Sequence, residues 1–590
     1  MKFIFSYAKK YMNIILLGMA VKLLGTSLEL SLPYILEHII DDIVPMKRMD
    51  LVIWWGLLMI LAAVACRFCN VRANRLSVKA AKESTYEIRR DLFWKSVNLS
   101  GEQLDEVGLP SLTSRMTSDS YNVQSFIQSA QTIGVRAPIM LLGGICITMT
   151  MDVGLASILC IMAPILIVLV VGISLKGIPL YNKVQDSLDE IVRTMRENIT
   201  GIRVVKALSK EDYEMRRFAR ANENMTKREI KASIVMSIPG PIMSLAMNIG
   251  LTLVVIVGAN RVNAGLTEPG VILAFLTYFN MILMGVMALN RIFMMMSKAN
   301  ASALRIEAVV SMPDGLQQLS VEEGLHTERE GYIVFDHVNF SYGENSNARE
   351  AEALHSSFDG AGREQCLTDI DFVMKKGGSL GIIGATGCGK TTIINLLMRF
   401  YDAGSGGVFL DGKDVRTYDK DELHRKFGVV FQNDVIFADT LRENISFGRD
   451  VDDEAMRKAA ADAKAAEFIE NYEDDYDHLA SIHGANLSGG QRQRVLISRA
   501  LAANPDILIL DDSSSALDYR TDAELRKAIR EHHADTTTII IAQRISSIMS
   551  LDDIIMLDEG KIIGHGTHEQ LLETCPMYRD IFNTQMGEGK

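Results

Sequence analysis

The first half of the chain is a succession of long apolar stretches, at about 12–40, 51–75, 120–150, 153–180, 234–262 and 269–297. Each offers the ~20 apolar residues that a helix needs to cross a bilayer. Several continue as polar, charged helix. The stretch 72–100 carries Arg72, Arg75, Lys79, Lys82, Arg89 and Arg90, and 182–232 carries Arg193, Arg203, Lys206 and Lys210. Basic extensions of this kind belong on the cytoplasmic side, and the connections at 41–50, around Met151-Asp152 and at 260–268 are short. Both termini are therefore expected inside. Residues 1–10 read as an amphipathic interfacial segment leading into the first span, with no cleavable signal peptide evident. Helices that project far into the cytoplasm suit a protein that must reach a soluble engine.

The pattern changes near Ser311–Gly315, and after residue 330 short apolar runs alternate with helical periodicity. Tyr332–Phe340, Ser379–Ile383, Gly407–Leu410, Ile507–Leu510, Thr537–Ile541, Asp553–Leu557 and Lys561–Gly564 read as strands. This predicts a six-span α-helical transmembrane domain over 1–312, a linker over 313–330 and an α/β nucleotide-binding domain with a largely parallel sheet over 331–590. A chain of 590 residues is too long for one core in any case. The net charge of −12 argues against a nucleic-acid partner, which needs a basic face. The seven cysteines form no disulfide framework. Cys66 and Cys69 make a C-x-x-C inside an apolar helix with no second ligand pair, so they read as reduced packing residues.

The chemistry lies in the second half. Gly384-Ala385-Thr386-Gly387-Cys388-Gly389-Lys390-Thr391-Thr392 fits G-x-x-x-x-G-K-[ST] between a buried strand and a helix. Its glycines let the backbone curl so that N–H groups cradle a β-phosphate, while Lys390 adds positive charge and Thr391 a Mg²⁺ ligand. Downstream, Leu487-Ser488-Gly489-Gly490-Gln491 opens a helix over 491–503. A Gly-Gly pair at a helix N-terminus exposes orphan N–H groups suited to a γ-phosphate. Its distance along the chain from Lys390 makes it an outward-facing anion site, which implies a second subunit.

The loop, the Leu-Ser-Gly-Gly-Gln segment and the apolar strand ending in Asp511, in this order behind six spans, resemble a half-transporter of the ABC exporter family, of the multidrug-exporter type. The resemblance covers essentially the whole chain. It implies ATP and Mg²⁺ as cofactors, a translocase ATPase activity, and a multi-pass protein of the bacterial inner membrane with a cytoplasmic nucleotide-binding domain. It implies that Tyr342 stacks on adenine, that Gln432 contacts Mg²⁺ and the membrane domain, and that Asp511 holds Mg²⁺. Ser515-Ala516-Leu517-Asp518 resembles the loop by which two cassettes sense each other, so Asp518 joins the nucleotide set. The turn near Leu109–Asp119 and the segment Thr200–Lys206 resemble the two intracellular coupling regions.

Three positions depart from the family pattern. Asp512 stands where the family has Glu, Gln543 where it has His, and Ile482-His483-Gly484 lacks the Glu usual before the signature. Asp is one methylene shorter, so its carboxylate sits roughly 1.5 Å further from a water, and a displacement of ~1 Å can cost ~10²-fold in rate. Gln can hydrogen-bond a γ-phosphate but carries neither a proton nor the charge of His⁺. With the signature intact, this combination resembles one subunit of the heterodimeric bacterial exporters. The partner would carry the Glu, the His and an altered signature, and Ser488–Gln491 of this chain would complete the partner's active site. The alternatives are a homodimeric lipid or drug exporter and an ATP-gated protein that does not pump.

The cargo is expected to be a hydrophobic or amphipathic, drug-like compound. Glu29, inside the first apolar stretch, marks either an attractor for a cationic substrate or a residue hydrogen-bonded near a wetted vestibule. Met281, Met284, Met287, Met294, Met295 and Met296 suit either an adaptable binding wall or a helix interface. The acidic segment 343–365 is longer than the family's usual loop and reads as a surface hairpin.

Overall fold

The computed structural model describes residues 1–342, 366–513 and 516–587. The acidic segment 343–365 and Ser515 therefore lie outside the described residues. The chain divides into two compact units, Met1–Val97 with Leu109–Met312, and Asn98–Gly108 with Pro313–Lys590.

The first unit is helical. Met12–Ile43, Met49–Val97, Leu109–Met151, Glu211–Asn263 and Pro269–Val310 are long and apolar enough to cross a membrane, and Val153–Thr200 adds a sixth long helix whose apolar part is Val153–Leu169. Polar side chains set several of the helix ends. Asp152 breaks the run with an extended backbone, accepts from Leu155 N at 3.0 Å to cap the next helix, and receives Arg261 Nε at 3.0 Å. Asp41 accepts from Gly270 N at 2.6 Å and Val271 N at 3.0 Å, satisfying the first donors of Pro269–Val310. Between these ends, Leu155, Leu159, Val254, Phe275, Phe279 and Ile282 form a buried core, and fully buried Tyr278 donates its hydroxyl to Leu30 O at 2.6 Å.

Glu29 is not a free carboxylate. Arg136 Nη2, on the helix Ser120–Pro138, donates to Glu29 Oε1 at 2.7 Å. Of the two readings of Glu29, the pairing accords with the hydrogen-bonded one, its charge being matched by a residue 107 positions away. Buried Lys22 on the same helix likewise donates to Asn70 Oδ1 at 2.6 Å. The methionine wall also divides. Met281 packs against Leu30 and Tyr278, whereas Met284 and Met287 are 65% and 54% exposed. All seven cysteines are free, and Cys66 is buried beside Asn70, which donates to its carbonyl at 3.0 Å.

The second unit contains two sheets. β1 (Ile333–Phe340), β2 (Leu367–Met374), β4 (Ser405–Leu410) and β5 (Lys413–Asp414) form an antiparallel sheet in the order β2-β1-β4-β5. β3 (Ser379–Gly384), β6 (Phe427–Val430), β7 (Ile507–Asp511), β8 (Thr537–Ile541), β9 (Asp553–Asp558) and β10 (Lys561–Gly566) form the other, in the order β10-β9-β3-β8-β7-β6. The second sheet is parallel except for β10. The single, largely parallel sheet predicted from the alternation of strands and helices is thus corrected to two. The sequence held a cue, since β4 and β5 are joined by Asp411-Gly412, both with positive φ, the two-residue hairpin connection of antiparallel strands.

A short helix, Gly101–Val107, belongs to this second unit. Ser100 and Gln103 form its capping box, Gly101 N donates to Phe400 O at 3.3 Å, and Tyr401 Oη donates to Asp105 Oδ2 at 2.6 Å. The stretch that the resemblance gives as the first coupling region, Leu109–Asp119, directly follows this helix. That stretch lies in the first unit, where Asp119 pairs with Arg305 and accepts from Ser302 Oγ at 2.8 Å.

The Glu29–Arg136 pair leads to a stability prediction. Glu29→Ala leaves a guanidinium unmatched among apolar helices and should lower the thermal midpoint of the purified protein, by less than the ~3–5 kcal/mol of a fully buried pair. Glu29→Ala with Arg136→Met should recover most of the loss. Equal melting of the single and double variants would show that the pair is not coupled.

Candidate functional site

The site lies where β3, β7 and β8 end together. Their parallel register sets Ile382 beside Ile541, and Asp511 also beside Ile541, so the segments leaving Gly384, Asp511 and Ile541 emerge at one edge. The three strands are almost completely buried, which suits a parallel sheet covered on both faces. A cavity of about 330 Å³ opens at this edge, lined by Tyr342, Cys366, Thr386, Gly387, Gly389, Lys390, Thr391, Thr392, Gln432, Asp511, Asp512, Ile541 and Gln543.

The loop after β3 depends on glycine where a side chain has no room. Gly389 has φ +99°, and a Cβ there would meet Leu367 Cδ2 at 2.6 Å. A Cβ on Gly384 would strike the Leu557 carbonyl and lie 2.8 Å from Cys388 Sγ. The helix Lys390–Leu397 starts directly after Gly389, so its first N–H groups open toward the cavity. Lys390 Nζ donates to Gly384 O at 2.9 Å and Ala385 O at 2.7 Å, which holds the ammonium within the loop.

The carboxylates are tied to the same loop. Thr391 Oγ1 donates to Asp511 Oδ2 at 2.7 Å. Burial pushes the Asp511 carboxyl above its ordinary range, Asp512 adds to the rise, and the Thr391 hydrogen bond opposes it. A hydroxyl and a buried carboxylate, with the Gln432 amide lining the same cavity, form a small hard-oxygen donor set that fits Mg²⁺ arriving with nucleotide phosphates. Thr391 and Asp511 would hold the ion, which would neutralise phosphate charge there.

The two departures from the family pattern meet. Gln543 Nε2 donates to Asp512 Oδ2 at 2.9 Å, and Gln432 also hydrogen-bonds Asp512. Burial raises the Asp512 carboxyl, while Lys390 and these hydrogen bonds pull it down. The backbone at Asp512 is left-handed, φ +49°, and Asp512 N donates to Ile541 O at 2.9 Å, so the position of the side chain is set by β8.

Tyr342 closes the other end of the cavity. Its hydroxyl lies 3.1 Å from Thr392 Oγ1, and its ring meets Phe340 and Tyr401 edge-on. Cys366 was not anticipated. It lines the cavity because β2 begins beside the loop, with Sγ 3.3 Å from Thr392 Oγ1. Nothing in its local sequence marks it.

Other predicted residues lie elsewhere. Cys388 is buried under the loop and does not line the cavity. Ser488, Gly489, Gly490 and Gln491 are also outside it. They open the helix Gly489–Leu501, where Ser488 Oγ accepts from Gln491 N at 3.2 Å and Gln491 Oε1 from Ser488 N at 2.8 Å. Asp518 caps Tyr519–His532, accepting from Arg520 N at 3.1 Å and Thr521 N at 2.9 Å. Within this chain its carboxylate serves as a helix cap. His483, in the segment that lacks the usual Glu, has a left-handed backbone, φ +57°.

Comparison with known proteins agrees with this geometry. Residues 15–287 match the family profile described as the ABC transporter transmembrane region, and residues 367–515 that described as ABC transporter. The chain is 33% identical over 587 residues to the uncharacterized ABC transporter ATP-binding protein YfiB of Bacillus subtilis, covering 99% of this chain and 98% of that one. It is 31% identical over 589 residues to the uncharacterized ABC transporter ATP-binding protein Rv1273c of Mycobacterium tuberculosis, covering 98% and 97%. It is 29% identical over 574 residues to the ATP-dependent lipid A-core flippase of Acinetobacter baylyi, covering 96% and 95%. The structure of a bacterial Atm1-family ABC exporter with ATP bound shares the fold, with a TM-score of 0.80 over 98% of this chain and 99% of that one, at 22% identity.

The Thr391–Asp511 contact gives a direct test. Thr391→Val removes both the hydroxyl ligand and the bond that orients Asp511. Affinity for Mg²⁺-ATP should fall about 10–100-fold, the usual cost of losing such support, while affinity without Mg²⁺ changes little. Fluorescent-nucleotide titration with and without EDTA separates the two, and equal losses in both conditions would count against Thr391 as a metal ligand.

Proposed function

The chain belongs to the ABC transporter family, as an exporter half-transporter with a membrane unit and a nucleotide-binding unit, and from that premise we propose that it is one subunit of a heterodimeric ATP-driven exporter. Its own site binds ATP and hydrolyses it weakly. Its Ser488–Gln491 segment completes the partner's active site, and the partner supplies the catalytic Glu and His. The cargo is a hydrophobic or amphipathic compound.

The observation that carries this reading is the Gln543–Asp512 hydrogen bond of 2.9 Å. In this family pattern the two positions polarise the attacking water and hold the γ-phosphate. Here a shortened carboxylate and a neutral amide satisfy each other. To reach a γ-phosphate Gln543 must release Asp512, and the amide then brings a hydrogen bond but no charge. The binding elements, by contrast, are intact. The phosphate loop, Thr391–Asp511 and Tyr342 are all in place.

The signature supports the two-subunit arrangement. Its capping box satisfies the Gln491 and Ser488 N–H groups internally, which leaves Gly489 and Gly490 to an anion from outside. That anion is not in this chain's own cavity, whose lining contains none of these residues. The helices Gly101–Val107 and Ile202–Ala207 are proposed to carry cassette movement to the spans. Asp105 hydrogen-bonds Tyr401, which in turn meets Tyr342 at the base end of the cavity.

A lipid cargo is the second reading. It is favoured by the relative named as an ATP-dependent lipid A-core flippase. With Glu29 paired to Arg136, its carboxylate gives a cationic drug no particular support.

The test is the ATPase rate of the purified full-length chain in lipid nanodiscs. Alone it should be slow, and Asp512→Glu with Gln543→His should raise it by roughly the ~10²-fold that correct placement of a catalytic group is worth. Brisk hydrolysis by the unaltered chain alone would contradict the divided site and favour a homodimer.

A further inference from the structure

The segment that presents Gln543 is held from behind by the end of the chain. β8 finishes at Ile541, and Ala542, Ile545 and Ile548 are buried in the core. Beyond β8 the backbone turns through a short 3-10 helix, Ile545–Ser547, in which Ser547 N donates to Arg544 O at 3.1 Å and Met549 N to Ile545 O at 2.9 Å, and side chains from two other helices supply further bonds. Gln585, in the last turn of the C-terminal helix Pro576–Met586, provides two. Its Nε2 donates to Gln543 O at 2.8 Å, and its Oε1 accepts from Ile545 N at 2.8 Å. Arg526 adds a third from the helix Tyr519–His532, with Nη1 donating to Ser546 O at 2.7 Å. Arg544 lies over the Tyr519 ring, 5.0 Å from its centroid.

We infer that Gln585 is a positioning residue for this nucleotide site, acting through Gln543 and making the C-terminal helix part of the catalytic apparatus. The inference rests on the reading that the cavity binds ATP. The chemistry of the contact is specific. One side chain must give a hydrogen to the carbonyl of residue 543 and take one from the amide of residue 545, and the Gln585 carboxamide does both through two separate atoms at the end of a long side chain. Glu would set a carboxylate oxygen against the Gln543 carbonyl, and Asn is one methylene too short. With its backbone fixed on both sides, Gln543 exchanges Asp512 for a phosphate by side-chain rotation alone. Without the clamp, the whole segment has to be ordered at each turnover, which weakens preorganisation.

Docking of the C-terminal helix does not depend on Gln585. Tyr578 is fully buried with its hydroxyl 2.8 Å from His568 Nδ1, and Ile581 and Phe582 pack on the core. Gln585→Leu should therefore keep the helix in place and remove only the bridge.

The experiment compares the full-length protein with Gln585→Leu in nanodiscs, by single-turnover ATP hydrolysis and by hydrogen exchange. The variant should hydrolyse about 10-fold more slowly, well within the ~10²-fold that a misplacement of ~1 Å can cost. Its nucleotide KM should stay within about twofold, since the phosphate loop is untouched. The Ile545 amide should lose protection and the melting temperature should hold. In a Gln543→Ala background, Gln585→Leu should have no further effect on rate. If turnover of the natural sequence is below detection, the same ratio is read in the Asp512→Glu, Gln543→His background. An unchanged rate, or the same fractional loss with Gln543 already removed, would overturn the assignment. The absolute rate of the unaltered chain bears on the divided site, and the ratio between variants bears only on Gln585.

Discussion

The parallel register of β3, β7 and β8 is the constraint on which the rest of the nucleotide unit depends. It brings the phosphate loop after Gly384, the carboxylates Asp511 and Asp512, and Gln543 to one edge, although they are widely separated in sequence. Burial fixes it. The side chains of Ile507, Leu508, Ile509 and Ile382 have essentially no exposed surface, and slipping a strand by one residue would change which side chains face which layer. The Thr391–Asp511 hydrogen bond of 2.7 Å then ties the loop to the central strand. On an edge this closely set, one methylene at position 512 is a large change, because the surrounding backbone has no freedom to make up the distance.

In the proposed assembly the same edge is only half of a catalytic site. It has the glycine-rich loop, the Thr391–Asp511 oxygen pair and the Tyr342 ring, but Ser488–Gln491 of the signature do not line it. That segment lies elsewhere on the unit, held by its own capping box. A second chain is needed to complete each site. In the proposed heterodimer the two sites need not do equal work. One can hold nucleotide while the other turns it over.

Much of this was legible in the sequence, for reasons that differ by feature. The apolar stretches and the Gly-rich loop are local patterns with strong physical causes, and both led to the observed elements. The antiparallel sheet was not legible as such. β1 and β2 are separated in sequence by residues 343–365, and β5 is only two residues long, so the pairing left little local pattern to read. Pairings between distant residues were also hidden. Glu29 read as exposed chemistry until Arg136 appeared beside it, and Cys366 became part of the cavity only because β2 starts next to the phosphate loop. Asp518 shows the opposite case. The resemblance assigned it to nucleotide, whereas within one chain its carboxylate is used by the first turn of a helix.

The claim that binding and hydrolysis are divided between unlike sites is tested most directly by nucleotide exchange in the assembled transporter. The dimer, loaded with radiolabelled ATP and Mg²⁺ and chased with unlabelled ATP during turnover, should release label in two phases. One nucleotide per dimer should leave at the turnover rate, and one should stay bound through many cycles. Asp512→Glu with Gln543→His on this chain should merge the phases. Two nucleotides exchanging at equal rates in the unaltered protein would contradict the account.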